Sequence, residues 1–140
     1  MIGIVLVSHG GLAAGMLDAM QMIVGEQEAV AHLALHETDD VDTLVDRVGE
    51  AVDQVAGEEG TLILVDLFGA SPFNASSRLA MSRGRQIEVL TGLNLPMLVE
   101  LVIQRDGLTL KEAAALARQS GLGGIRTLSE TLGGKSPASS

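Results

Sequence analysis

The chain has 140 residues, the usual size of one domain, with 46% apolar residues and a net charge of −9. That charge disfavours nucleic acid and anionic membrane, both of which attract basic surfaces. Two Phe with no Tyr or Trp leave no aromatic platform for single-stranded nucleic acid, and the absence of Cys excludes disulfides and thiol chemistry. No stretch reaches the roughly 18 uninterrupted apolar residues of a membrane span, and the N-terminus lacks a signal-peptide pattern. A cytoplasmic protein is expected.

In chain order, the apolar run Ile2–Val7 predicts a first strand, leading into Ser8-His9-Gly10-Gly11. Apolar residues at Leu12, Met16, Met20 and Ile23 then follow helical spacing, and Gly25 can end that helix. Val30–Leu35 reads as a second strand. Asp39 and Asp40 place acid where a helix N-terminus favours it, and Val41, Leu44, Val45, Val48, Val52 and Val55 make the apolar stripe of a second helix. Leu62–Val65 is a third, fully apolar strand running into Asp66-Leu67-Phe68-Gly69-Ala70. Ser71 is the expected N-cap of a third helix, with Pro72 at its first position, reaching about Ser82.

Gln86–Leu90 predicts strand four, and Asn94 caps a strongly apolar helix, Leu95–Ile103, suited to core or interface. Thr109-Leu110-Lys111-Glu112 matches a capping box before a fifth helix that Gly121 can terminate. Ile125–Leu128 is a candidate final strand, and the small polar stretch 133–140 is expected to be a disordered tail. Strands alternating with helices indicate an α/β fold: one domain over residues 1–132, with a mostly parallel four-stranded sheet flanked by helices. The common order 2-1-3-4 puts the ends of strands one and three side by side, at a switch point where ligands bind.

In that arrangement His9 and Asp66 face each other. A carboxylate accepting from Nδ1–H leaves Nε2 bare and basic, and stabilises the ring as positive charge develops on it. Gly10 allows close backbone approach, and the turn through Gly69 to Ser71 aims helix N–H groups at the same crevice, so phosphate is the natural guest. Ser71 could cap its helix or donate to a phosphoryl oxygen. The helix start at Asn94 could line the same side. His32 and His36 read as ordinary residues, with His36 placed to approach the crevice if its strand end projects that way. The Met16, Met20 and Met22 group reads as helix packing. A P-loop lysine is absent, and transfer between two histidines needs neither that group nor a metal.

Ser8-His9-Gly10, Val24-Gly25-Glu26-Gln27-Glu28, Val65-Asp66 with Gly69-Ala70-Ser71-Pro72-Phe73-Asn74, and Gly92-Leu93-Asn94-Leu95-Pro96-Met97-Leu98 together resemble the enzyme IIA component of the mannose family of the bacterial phosphotransferase system. The likeness covers roughly residues 1–130. It implies that His9 takes a phosphoryl group from HPr on Nε2, that Asp66 orients it, and that the group passes to a IIB component on another chain, serving membrane IIC and IID components indirectly. It further implies a homodimer exchanging an antiparallel strand, for which Ile125–Leu128 is the candidate. The chain departs from the family at Gly11 and at Leu67-Phe68-Gly69-Ala70, where the family often carries aromatic or Thr-Trp-Gly-Gly residues. A dihydroxyacetone kinase-type relay, a chelatase-like metal enzyme and a regulatory binding module without turnover are the competing readings. No cofactor is expected.

Overall fold

The computed structural model describes residues 1–133, the Arg85 side chain excepted; of the predicted tail 133–140, Gly133 is the last residue of a helix and the rest lies outside the described residues. Four strands, β1 (Gly3–His9), β2 (Val30–Leu35), β3 (Thr61–Val65) and β4 (Ile87–Thr91), form one sheet in the order β2-β1-β3-β4. All three pairings are parallel. Helices α1 (Leu12–Val24), α2 (Val41–Val55), α3 (Ser71–Arg83), α4 (Leu95–Gln104), α5 (Leu110–Gly123) and α6 (Leu128–Gly133) make up the rest, with a short 3₁₀ turn at Gly84–Gln86.

The central strands β1 and β3 carry unbroken apolar runs, Ile4–Val7 and Leu62–Val65, because both faces of the sheet are covered there. Successive side chains point to opposite faces, which divides the core in two. Ile4, Leu6, Leu62 and Leu64 pack with Ala13 and Met20 of α1, Leu98 and Leu101 of α4, and Ala113 and Ala117 of α5. Val5, Val7, Ile63 and Val65 face Leu44, Val48 and Val52 of α2 and Ala75 and Leu79 of α3. Ile4 to Val7 and Leu62 to Val65 are fully buried, and each such side chain contributes roughly 1.5–3 kcal/mol of burial free energy. The backbone feeding the carboxyl ends of β1 and β3 is therefore held on both sides.

At the opposite end of the sheet, Arg105 is buried, and its guanidinium donates to the carbonyls of Ile2, Ala29 and Glu28. Burial lowers its pKa and the carboxylates of Asp106 and Glu28 oppose that shift. The side chain fastens the starts of β1 and β2 to the end of α4.

Several expectations are corrected. Ser71 is the first residue of α3, and Ala70, whose side chain cannot cap, occupies the N-cap position. Gly121 does not end α5, which continues to Gly123. Gly121 is buried, and a Cβ there would stand 2.9 Å from Met97 Cε, so its smallness serves close helix packing. In the single chain Ile125–Leu128 is not a strand, and among the described residues the sheet has no antiparallel member. Ile125 N–H turns back to the Leu122 carbonyl, and Thr127 Oγ1 accepts from Glu130 N–H at 3.1 Å, so local capping starts α6 instead. The methionine group also divides: Met20 is buried, whereas Met22 is 84% exposed.

Candidate functional site

Strand register builds the site. Val7 of β1 pairs with Val65 of β3, so the next residues of the two strands emerge side by side at the carboxyl edge. On the other side His9 pairs with Leu35 of β2, and Gly10 N–H donates to the Leu35 carbonyl at 2.9 Å. Gly10 then adopts φ +52°, a left-handed conformation that suits glycine and turns the chain sharply into α1.

His9 and Asp66 meet as expected. Asp66 Oδ2 lies 2.7 Å from His9 Nδ1 and also accepts the His9 backbone N–H at 2.9 Å. Its other oxygen, Oδ1, accepts Leu67 N–H at 3.0 Å. The Asp66 side chain is 9% exposed and that of His9 48%, so the acid sits beneath an imidazole that reaches solvent. Burial works against ionisation of Asp66, but the His9 N–H, the His9 ring and the Leu67 N–H outweigh it and hold its carboxyl below the usual range. An ionised acid on Nδ1 keeps the ring proton there and leaves Nε2 with its lone pair outward.

Ser8, quoted only as part of the motif before His9, has a positioning role that the sequence reading missed. It is fully buried, and its Oγ accepts Ala13 N–H at 2.7 Å while donating to the His9 carbonyl at 3.2 Å. Gly11, the N-cap of α1, has no side chain to do this. Ser8 thereby caps α1 from five residues upstream and ties the His9 peptide to it. The spacing falls outside the usual capping patterns, which look for the hydroxyl at the cap itself.

His9, Gly10, Leu35, His36, Glu37, Asp39 and Ser71 line one open groove of about 400 Å³. Ser71 and Gly10 thus share the groove with His9, and so does His36. Gly69, at φ +82°, lies in the turn joining Asp66 to Ser71 and is not part of the groove lining. Ser71 Oγ has no hydrogen-bond partner among the described residues. The start of α4 does not contribute: Asn94 caps that helix through Met97 N–H and lines a separate cavity with Thr91, Arg118 and Ile125. A second unforeseen element is the wall after β2. Asp39 Oδ2 accepts His36 N–H at 2.8 Å and Arg47 Nη1 at 3.1 Å, and Arg47 Nη2 donates to the Ala34 carbonyl at 3.2 Å. Such pairing between the loop before a helix and that helix's second turn has no repeating spacing to announce it.

The profile of the family EIIA-man, described as PTS system fructose IIA component, matches residues 3–117. The chain belongs to that family. It is 36% identical over 128 residues to the PTS system mannose-specific EIIAB component of Escherichia coli strain K12, covering 91% of this chain but only 39% of that protein. Among solved structures, phosphotransferase system component EIIA from Streptococcus agalactiae superposes with a TM-score of 0.83 at 31% identity, covering 92% of this chain and 98% of the other. The mannose/sorbose specific IIA subunit from Enterococcus faecalis gives 0.81 at 30% identity, with coverages of 91% and 94%. The departures of this EIIA-man chain from the family pattern fall on the exposed rim. Leu67 and Phe68 are 60% and 77% exposed, and the Phe68 ring packs tilted against Phe73 with centroids 4.7 Å apart. Among the described residues no helix is long and apolar enough to cross a membrane.

Proposed function

We propose that the protein is a cytoplasmic phosphocarrier of a sugar phosphotransferase system, taking a phosphoryl group from phospho-HPr onto His9 and passing it to a IIB component. The observation that carries this reading is the double hold of Asp66 Oδ2 on His9, at Nδ1 (2.7 Å) and at the backbone N–H (2.9 Å). It is supported by membership of the EIIA-man family.

In the proposed transfer the Nε2 lone pair attacks phosphorus. The bond from phosphorus to the donor imidazole nitrogen breaks, and its electron pair returns to that nitrogen. The His9 ring keeps its Nδ1 proton and gains positive character, which the Asp66 carboxylate stabilises. Onward transfer reverses these roles: the bond from Nε2 to phosphorus breaks towards the incoming IIB histidine, and the pair returns to Nε2. Both ends of each step are phospho-imidazoles of similar energy, so positioning does most of the work. Gly10 and Ser71 are assigned as contacts to the phosphoryl oxygens, Ser71 through its unpartnered Oγ and Gly69 by shaping the turn that presents it. The IIC and IID membrane components would be served through IIB.

Incubation with phosphoenolpyruvate, enzyme I and HPr tests the assignment. The protein should take up one phosphoryl group that moves on to a IIB chain, and His9→Ala should take up none. Uptake that persists in His9→Ala would rule out His9 as the acceptor.

A homodimer belongs to the same proposal. Ile125, Leu128 and Leu132 are 72%, 73% and 67% exposed in the single chain, an apolar C-terminal segment suited to a second copy. Sedimentation of the full chain reads this directly, and a monomer at micromolar concentration would refute it. Among the described residues no group of three or more His, Asp and Glu is arranged to hold a metal ion, so the geometry adds nothing to a chelatase-like reading.

A further inference from the structure

The groove beside His9 contains a second imidazole to which nothing above gives a task. His36 directly follows Leu35, the residue that pairs with His9 across β1 and β2, and neighbouring strands lie about 4.8 Å apart. The backbone holds this position from three sides. Gly10 N–H is bonded to the Leu35 carbonyl, His36 N–H to Asp39, and Asp39 to Arg47 of α2. The His36 ring itself is exposed and has no hydrogen bond or ion pair among the described residues. A main chain pinned this firmly beneath an unpartnered ring leaves the ring free to turn towards whatever enters the groove.

Charge indicates what it would meet. With Asp66 ionised and His9 in the neutral form that attacks phosphorus, the pair carries a net negative charge, and Glu37 and Asp39 stand on the groove wall. A phosphoryl group adds about −1.5 to −2 at neutral pH. The groove lining holds no Lys or Arg, and Arg47 is committed to Asp39 and to the Ala34 carbonyl. Apart from His9, His36 is therefore the one lining side chain able to supply positive charge.

We infer that His36 is the counter-charge of the phosphorylated site, its imidazolium donating an N–H to an oxygen of the phosphoryl group on His9 Nε2. This rests on the assignment of His9 as acceptor and extends it to the residue that stabilises the product of the transfer. The contact exists only after transfer, so it favours the phosphorylated form over the free form. It also depends on protonation, and an imidazole changes charge between about pH 5 and 8. The other groups facing it are the carboxylates of Glu37, Asp39 and Asp66, the Arg47 guanidinium and the His9 ring. Carboxylic acids and guanidinium ordinarily titrate well outside that range. The His9 ring and the phosphoryl oxygens are common to every His36 variant, so a comparison of variants isolates His36.

The experiment measures the equilibrium of phosphoryl exchange with HPr from pH 6 to 8, in the wild type, His36→Gln and His36→Arg. The Gln variant should disfavour the phosphorylated form by about threefold to tenfold at pH 6, the range expected for a partly exposed charge-assisted hydrogen bond. That deficit should shrink towards none at pH 8. The Arg variant, charged throughout, should hold the phosphorylated form at pH 8 more strongly than the wild type does at that same pH. A Gln deficit that is absent, or that is the same at every pH, would overturn the role of His36 while leaving His9 as acceptor. A wild type that takes no phosphoryl group at all would overturn both.

Discussion

Asp66 Oδ2 holds His9 twice, by the ring at Nδ1 and by the backbone N–H, at 2.7 and 2.9 Å. One oxygen thus sets both where the imidazole stands and which nitrogen carries its proton. Neither bond requires the incoming protein, because both belong to the resting chain. For the proposed transfer, position and tautomer would thus be prepared before a donor arrives, which is how electrostatic preorganisation lowers a barrier.

This double hold separates transfer from docking. In Asp66→Asn the amide can keep one of the two contacts, but it removes the negative charge and can donate to Nδ1, which would shift the ring proton to Nε2. The expected outcome is phosphoryl transfer slowed by roughly 100-fold or more, with the dissociation constant for HPr changed little. Rapid-quench transfer rates and calorimetric titration with HPr read the two quantities separately. Equal losses in both would show that Asp66 supports the docking surface and not the tautomer.

The same pair makes stability depend on acid. The carboxyl pKa of Asp66 is lowered in the folded chain, against an unfolded value of about 3.9. The unfolded state therefore binds more protons in the window between those values, and stability rises with pH there. The contribution is complete above about pH 4 and is lost as pH falls through the lowered folded value. Urea midpoints measured while acidifying from about pH 6 should fall more steeply for the wild type than for Asp66→Asn. Asp40, whose carboxyl is also held low by Thr43 N–H, acts in the same direction in both proteins and cancels in the comparison. Parallel curves would mean that the Asp66 bonds add nothing to folding.

The parts of this molecule legible in the chain were those set by local pattern. The apolar runs of β1 and β3 and the valine stripe of α2 predict their elements because burial on both faces of a sheet, or one face of a helix, leaves a periodic trace. The meeting of His9 with Asp66 needed one topological assumption, the order 2-1-3-4, and the observed sheet has that order. What stayed hidden depends on three-dimensional neighbours. Gly121 looks like a helix stop and is a packing contact against Met97. Thr127 and Glu130 begin a helix where Ile125–Leu128 was a candidate strand. The Asp39–Arg47 clamp that sets His36 against the groove joins a loop to the second turn of α2, with no repeating spacing to announce it.

Two serines of the site should respond in opposite ways. Ser8 is fully buried and its Oγ is the acceptor for Ala13 N–H, so Ser8→Ala leaves a buried donor without a partner. Loss of a cap of this kind costs about 1–2 kcal/mol, and the urea midpoint should drop accordingly. Ser71 has no such duty, because its Oγ has no partner among the described residues and it is not the cap of α3. Ser71→Ala should leave stability within about 0.5 kcal/mol of the wild type. If its hydroxyl contacts the phosphoryl group, the same variant should slow transfer from HPr by about tenfold, the value of one hydrogen bond to a charged oxygen. Denaturation and transfer kinetics on the two variants then give a crossed result: Ser8→Ala unstable, and Ser71→Ala stable but slow. A Ser71→Ala protein that transfers at the wild-type rate would remove Ser71 from the site and leave backbone N–H groups at the start of α3 as that wall's donors.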